Sequence, residues 1–177
     1  KKTITDADLE ALIEDQTYQS QEVFALDGLQ VACGTMGMPT ATVRLVGPGE
    51  QLHIHAVVGT GPVHAVYQAI DAVVGVPNTL VEFNIHAVTE GIDAMGEVTV
   101  RLQADNGSIH QRTSPQNGQV RRRTFGGYGA DTDIIVASAK AYLAALNKLL
   151  IATGKYRMEA TPPPQSTLSL SAERSQS

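Results

Sequence analysis

The sequence predicts an α+β fold. Two βββα units, related by pseudo-twofold symmetry, each pack a three-stranded antiparallel sheet against a helix. The first observation behind this prediction is an internal repeat, in which residues 40–45 (TATVRL) are echoed by residues 97–102 (EVTVRL). The second is that each copy precedes another extended segment, a glycine-rich bend (59–62 or 126–129) and an apolar-periodic helix. A duplicated unit with a glycine bend before each helix suggests two equivalent small-ligand sites rather than one catalytic pocket.

The alternation of apolar and polar residues places the elements of the first unit. Its strands are predicted over residues 23–33 (with a turn at 27–28), 41–46 and 51–58. The helix begins at Pro62, where a missing N–H group costs nothing. Its apolar residues follow the helical repeat as far as Gly75, and Pro77 prevents continuation.

The second unit repeats this order with a longer loop. Its strands are predicted over residues 80–89, 97–103 and 118–125, and its helix over about 131–152. The loop at 107–117 exceeds its counterpart in the first unit. Gly154 is a suitable C-terminal stop for the helix.

Composition argues against several functional classes. A length of 177 residues suits one domain with its ends. The formal net charge of −5 argues against nucleic acid or an anionic membrane as the partner. No apolar run approaches the length of a membrane span. The single cysteine, Cys33, permits no intrachain disulfide, and the first residues show no signal-peptide pattern, so the sequence favours the cytoplasm.

The two helix starts carry the strongest functional signal. A helix N-terminus presents unpaired N–H groups and a partial positive charge, and glycine lets a ligand approach the backbone closely. The bend at 59–62 (GTGP) therefore suits a carboxylate. At the second helix start, Asp131 and Asp133 can cap the helix or pair with an ammonium group. Together the bends match a zwitterionic amino acid, although glycines in tight turns and acidic caps are the plainer interpretation.

No other group of residues predicts catalysis or metal binding. His53 and His55 share one strand face, but the only acid near them in sequence is Glu50, so a polar face or interface is favoured over a metal site. Glu90 and Asp93 fit turn chemistry. No Ser-His-Asp, Cys-His or dinucleotide-binding signature is recognisable. We therefore predict no catalytic residue, no metal and no cofactor in this chain.

Three runs of residues resemble the C-terminal regulatory domain of 2-isopropylmalate synthase. They are the strand pair at 84–100, the helix start at 129–143, and GTGPV at 59–63 together with Ala65. The resemblance implies three parts: the end of a linker subdomain (1–18), the regulatory domain (19–154, with repeats at about 23–75 and 79–152) and a C-terminal tail (155–177). The tail is rich in proline and serine and is expected to be disordered.

The resemblance also implies a function. The parent enzyme is an acyltransferase that condenses acetyl-CoA with 2-oxoisovalerate for leucine biosynthesis, using a (β/α)8 barrel that is expected to need a divalent metal. That barrel is absent from this sequence, so the chain alone is expected to be inactive. The domain is expected to form a homodimer, to bind L-leucine, and to couple binding to the catalytic barrel of the same polypeptide as feedback inhibition.

The ligand-binding residues that the resemblance implies flank the two helix starts. Backbone amides hold the carboxylate, an acid or carbonyl groups hold the ammonium, and aliphatic side chains surround the leucine side chain. These residues are Gly59, Gly61, Pro62, Ala65 and Val66 in the first unit and Ala130, Asp131, Asp133, Ile134 and Ala137 in the second. Two alternatives stay open: an isoleucine-sensing domain of citramalate synthase, since side chains that differ by one methyl position are separated by about 1–3 kcal/mol, and a dimerisation module without a ligand.

Overall fold

A computed structural model describes residues 22–35, 37–87, 94–104 and 123–155. In chain order the elements are β1 (Ala25–Ala32), β2 (Thr40–Val46), β3 (Leu52–Val58), α1 (Pro62–Val74), β4 (Asn78–Ala87), β5 (Gly96–Ala104), β6 (Thr124–Asp131) and α2 (Ile134–Thr153). This βββα-βββα order confirms the predicted fold class. The predicted linker segment, the loop at 107–117 and most of the predicted tail lie outside the described residues.

Each unit builds one antiparallel three-stranded sheet around the repeated sequence. The sheet orders are β1-β2-β3 and β4-β5-β6, so the repeated strands β2 and β5 are central. Alternate side chains of these strands are buried against the helices: Ala41, Val43 and Leu45 in β2, and Val98, Val100 and Leu102 in β5. The repeated sequence is therefore the part of each unit that must present small and branched apolar residues on one face.

The predicted turn at residues 27–28 is not a turn. Asp27 and Gly28 lie within β1, where the pairing with β2 shifts register between Leu26 and Gly28. A bulge of this kind bends a strand without reversing it. Two hydrophobic segments interrupted by Asp-Gly look the same in sequence for a bulge and for a hairpin turn, which explains the error.

The first helix forms as its pattern predicts. α1 packs on β2 and β3 and begins with Pro62 at its first position. It ends at Gly75, whose left-handed backbone (φ 62°) places its N–H group on Asp71 O. Glycine adopts this conformation without strain, which is why it ends helices.

The second helix is long and apolar. α2 packs on β6 and β5, and it also contacts α1 and β1. An 18-residue window within Ile134–Thr153 has a mean hydropathy of 1.6, so by length and composition α2 could cross a membrane. The expectation that no apolar run reaches that length is therefore wrong. Because 61% of that window is buried inside the fold, its apolar character is accounted for by packing.

The second glycine-rich segment is a strand rather than a bend. Residues 126–129 lie inside β6 (Thr124–Asp131). Residues 118–122 of the predicted third strand lie outside the described residues. A Cβ atom on Gly127 would lie 1.9 Å from Ala141 O, and one on Gly129 would lie 2.2 Å from Ala137 O. These glycines are needed because the backbone of α2 rests directly on the backbone of β6, a requirement that local sequence does not reveal.

Candidate functional site

The first helix start is open at its backbone. α1 follows Gly61, whose extended backbone (φ −158°, ψ 167°) provides no capping side chain. A Cβ atom on Gly61 would meet nothing within 4 Å. Pro62 has no N–H group, so the first-turn donors that helical geometry leaves without a partner are those of Val63 and His64. An uncapped helix start with space beside it suits an anion such as a carboxylate.

The residues before this start are held in place by short-range contacts. Gly59 N donates to Pro39 O at 2.8 Å, and a Cβ atom on Gly59 would lie 2.5 Å from Ala65 N. Thr60 N donates to His64 Nδ1 at 3.1 Å. Gly59 therefore serves close packing, whereas the space predicted for a ligand lies beside Gly61.

The second helix start is closed by its own side chains. Asp133 is the N-cap of α2, and its Oδ1 accepts from Ile135 N at 2.8 Å. Asp131 Oδ1 accepts from Asp133 N at 3.0 Å. The helix therefore begins at Ile134 and not at residue 131 as predicted, since the two aspartates are used before the first turn. The two helix starts are not chemically equivalent.

Asp131 already has a cationic partner. Lys140 Nζ donates to Asp131 Oδ2 at 2.7 Å. This bond from Lys140, followed by the bond from the Asp133 backbone, lowers the pKa of Asp131 below its ordinary value. A ligand ammonium group at Asp131 would have to share the carboxylate with Lys140 or displace it.

Both helix starts lie at the same end of the helix pair. The rings of Tyr67 and Tyr142 stack with centroids 4.0 Å apart. Just beyond the C-terminal ends of the two helices, Lys155 Nζ donates to Gly75 O at 2.8 Å. The tyrosine contact comes first and the Lys155–Gly75 contact second along both helices, so α1 and α2 run in the same direction. At about 1.5 Å per residue, α1 begins about 7.5 Å before its tyrosine and α2 about 12 Å before its own.

The ten predicted ligand residues differ in how accessible they are. Three are fully buried, namely Ala65, Val66 and Ala137. One, Asp133, is exposed, and the rest are half-buried, namely Gly59, Gly61, Pro62, Ala130, Asp131 and Ile134. A small molecule therefore has direct access to the half-buried set, while the buried three form the packing behind it.

Sequence reasoning missed a polar cluster between the helices. The Tyr142 hydroxyl lies 2.9 and 2.8 Å from the two carboxylate oxygens of Asp71 and 3.1 Å from Asn78 Oδ1. Asn78 Nδ2 also donates to Asp71 Oδ1 at 3.0 Å. The helical repeat predicts Tyr67 and Tyr142 on buried faces. Buried tyrosine hydroxyls usually have a hydrogen-bond partner, and Asp71 lies one turn after Tyr67, so the sequence contained a signal for this cluster.

Burial governs the ionisation of this cluster. Desolvation raises the pKa of Asp71, and the hydrogen bonds from Tyr142 and Asn78 oppose that rise. Burial, with the charge of Asp71 beside it, raises the pKa of Tyr142. The Tyr142 hydroxyl therefore stays protonated and acts as the hydrogen donor to the carboxylate.

The two neighbouring histidines lie on one face of β3, as their spacing predicts. His55 pairs with Val43 and His53 with Leu45, so both histidines share the helix-facing side of the sheet. The opposite side of β3 exposes Leu52 and Ile54. Among the described residues, no group of three His, Cys, Asp or Glu side chains is placed to hold a metal ion.

The fold and the helix starts together define a duplicated βββα domain, with one open and one capped helix start at the same end. The chain belongs to the family described as the LeuA allosteric (dimerisation) domain, whose sequence profile matches residues 3–150. This family assignment agrees with the resemblance found in the sequence.

Individual relatives point the same way. The chain is 51% identical over 159 residues to a 2-isopropylmalate synthase of Gloeothece citriformis, covering 90% of this chain and 27% of that protein. It is 51% identical over 149 residues to the synthase of Gloeobacter violaceus, covering 84% of this chain and 25% of that protein. It is 47% identical over 150 residues to 2-isopropylmalate synthase B of Solanum pennellii, covering 85% of this chain and 24% of that protein. The chain thus spans about a quarter of the length of these curated relatives.

Proposed function

We propose that this chain is the leucine-sensing part of a 2-isopropylmalate synthase and mediates feedback inhibition of the condensation of acetyl-CoA with 2-oxoisovalerate. The family is described as allosteric, and the relatives bear the name of that synthase. The observation that carries the proposal is the uncapped start of α1 beside Gly61, a position that suits an anion.

In this proposal the ligand carboxylate lies against the first turn of α1. The N–H groups of Val63 and His64 and the positive end of the helix favour a negative charge there. The ammonium group lies toward the second helix start, at Asp131 or at carbonyl groups. Ile134 and the packing of Val66 and Ala137 behind it provide the apolar surface for a branched side chain.

The catalytic step is assigned to the remaining three-quarters of the relatives' length. We expect this chain alone to have no synthase activity, and the divalent metal belongs to the barrel of the parent enzyme rather than to this domain. We also propose a cytoplasmic location for the parent. Coupling to the barrel then requires that leucine bind two states of the whole protein with different affinity.

Calorimetric titration of the chain with L-leucine and then with L-isoleucine tests the ligand. Saturable binding that is clearly tighter for leucine supports the proposal. Tighter binding of isoleucine moves the parent to citramalate synthase, and no binding of either leaves a dimerisation module.

The variant Gly61→Asp tests where the carboxylate lies. Aspartate is a strong N-cap, and the free space beside Gly61 accommodates it, so its carboxylate occupies the first-turn N–H groups. We expect leucine affinity to fall by at least about tenfold, the loss expected for one charged hydrogen bond. Gln30→Glu adds the same charge on an exposed position of β1 and should leave affinity unchanged. Unchanged binding by Gly61→Asp would place the carboxylate elsewhere.

We further propose that the chain forms a homodimer through the uncovered helix side of β4. α2 covers β5 and β6, but Leu80 and Ile85 on that side of β4 are 41% and 49% exposed. Ile85 pairs with the buried Val98, so it lies on the core side of the sheet. A second copy that supplies an apolar surface would cover this strand.

Light scattering after size-exclusion chromatography tests the dimer. We expect a dimer for the chain and a monomer for Ile85→Lys. His86→Lys, on the opposite face of the same strand, is the matched control and should stay dimeric. A dimer that survives Ile85→Lys would place the interface on another surface.

A further inference from the structure

Tyr67 joins the two repeats through its ring. It belongs to α1 of the first unit and is 6% exposed. Its ring stacks on Tyr142 of α2 and meets the Phe83 ring of β4 edge-on, with centroids 6.2 Å apart. Both aromatic partners come from the second unit, so this side chain lies at the seam between the units.

The hydroxyl of this tyrosine has no hydrogen-bond partner among the described residues. Burial raises the pKa of Tyr67, and the nearby Ser138 side chain opposes that rise. The Ser138 hydroxyl donates to Ile134 O at 2.7 Å. Its position relative to the Tyr67 hydroxyl does not meet hydrogen-bond geometry. A buried polar atom without a partner costs about 1–3 kcal/mol, which phenylalanine at this position would avoid.

The direction of the side chain relates this hydroxyl to the helix starts. Ser138 is one turn closer than Tyr142 to the start of α2. The Tyr67 ring lies on Tyr142 and its hydroxyl lies near Ser138, so the side chain points toward that start. On a helix, long side chains also lean toward the N-terminus of their own helix. The unpartnered hydroxyl is therefore aimed at the end of the pair that holds the open start of α1.

We propose that the Tyr67 hydroxyl donates a hydrogen bond to the carboxylate of the bound amino acid. The inference rests on the proposed function and adds a residue that couples occupancy of the site to the seam between the repeats. The hydroxyl stays protonated in its buried position and can only donate to an anion. The first turn of α1 and the Tyr67 hydroxyl then bind the same carboxylate from two sides.

The variant Tyr67→Phe removes only the oxygen atom. In calorimetric titrations of the whole chain, we expect leucine to bind about 10- to 100-fold more weakly than to the unchanged chain. L-Leucinamide has a neutral carbonyl acceptor in place of the carboxylate, so its affinity should fall by less than that of leucine. The thermal midpoint of Tyr67→Phe without ligand should equal or exceed that of the unchanged chain, because the hydroxyl has no partner to lose.

Tyr142→Phe is the matched control. The Tyr142 hydroxyl is bonded to Asp71, so its loss should lower the thermal midpoint and leave the ratio of leucine to leucinamide affinity unchanged. Equal leucine affinity in Tyr67→Phe and the unchanged chain overturns the inference and leaves the proposed function standing. A thermal midpoint of Tyr67→Phe that falls by several degrees also overturns the inference, because it shows that the hydroxyl has a hydrogen-bond partner within the ligand-free fold. An unchanged chain that binds no leucine overturns the proposed function, and this inference with it.

Discussion

The two βββα units differ most in what their third strands present to the helix. The central strands β2 and β5 are matched, so the positions opposite them can be compared directly. Opposite Leu45, Val43 and Ala41 the first unit has His53, His55 and Val57, whereas opposite Leu102, Val100 and Val98 the second has Phe125, Gly127 and Gly129. The second helix therefore lies directly on strand backbone at Gly127 and Gly129, while the first unit has the side chains of His55 and Val57 at the matched positions.

The helix starts also differ, and again the second unit is the more closely packed one. α2 is capped by Asp133, and its sheet lies close beneath it. α1 begins uncapped after Gly61, with space beside it. The duplicated fold thus has one closely packed, internally satisfied unit and one unit whose helix start is left for another group. Differences between matched positions therefore tell more about function than the repeated residues do.

The largest effect is expected where helix and sheet backbones touch. In Gly127→Val the new Cβ atom would lie 1.9 Å from a backbone oxygen, so α2 must move away from β6. We expect a loss of about 3 kcal/mol or more in the free energy of unfolding, or failure to fold. Urea denaturation measures it. His55→Val, at the matched exposed position of the first unit, should change stability by no more than about 0.5 kcal/mol. Similar losses in both variants would mean that the units are packed alike.

The next largest effect concerns the bond that ties the units together. Asn147 of α2 accepts from Phe24 N and donates to Phe24 O, both at 2.9 Å, and it is only 5% exposed. Asn147→Ala removes a partner from two buried backbone groups, and we expect a loss of about 2–3 kcal/mol in urea denaturation. The exposed Asn84→Ala is the control and should be near neutral. A near-neutral Asn147→Ala would show that Phe24 finds replacement partners.

Local patterns were enough to predict most of the fold. The repeated strand, Pro62 at a helix start and Gly75 at a helix end have strong local causes, and each lies where the sequence predicts. Residues 126–129 could not be assigned in this way, because glycines are typical of bends and only the nearness of α2 requires them in a strand. The seam between the units depends on residues more than 60 positions apart, such as Tyr142 and Asp71, and no local periodicity encodes that pairing.

The candidate site was predicted only in outline. Chemical reasoning located both helix starts and identified the acids of the second, but it could not show that Asp131 is already bonded to Lys140. It also could not show that Ala65, Val66 and Ala137 are wholly buried, because burial depends on how the units pack. Leucine contacts at these residues stay a prediction.

A smaller effect distinguishes the two helix starts. Asp133→Ala removes the cap of α2 and should cost about 1 kcal/mol of unfolding free energy. Gly61→Ser adds a neutral cap to α1 and should raise stability by only a few tenths of a kcal/mol, since glycine is itself tolerated at an N-cap. Chemical denaturation of both variants measures the difference. A destabilised Gly61→Ser would indicate that the first helix start is already capped, which contradicts its description as open.

The smallest expected effect is on how the free energy of unfolding changes with pH, and it comes from Asp71 at the seam between the units. Burial raises the folded-state pKa of Asp71 above its ordinary value of 3.8, so the folded protein keeps a proton that the unfolded chain releases. This contribution to stability is complete below pH 3.8 and is lost as the pH rises through the folded-state pKa. Asp71→Asn should therefore remove part of the decline in unfolding free energy over that range, measured by denaturation at a series of pH values.

Tyr142→Phe should have the opposite effect on that slope. Its hydroxyl bonds to the Asp71 carboxylate and holds the pKa of that group down, so its loss should extend the decline to higher pH. If the stability change caused by each of the two variants is the same at every pH, then Asp71 keeps the same charge in the folded and unfolded chains. The seam would then be held by packing of the two tyrosine rings, and its polar groups would give it no sensitivity to pH.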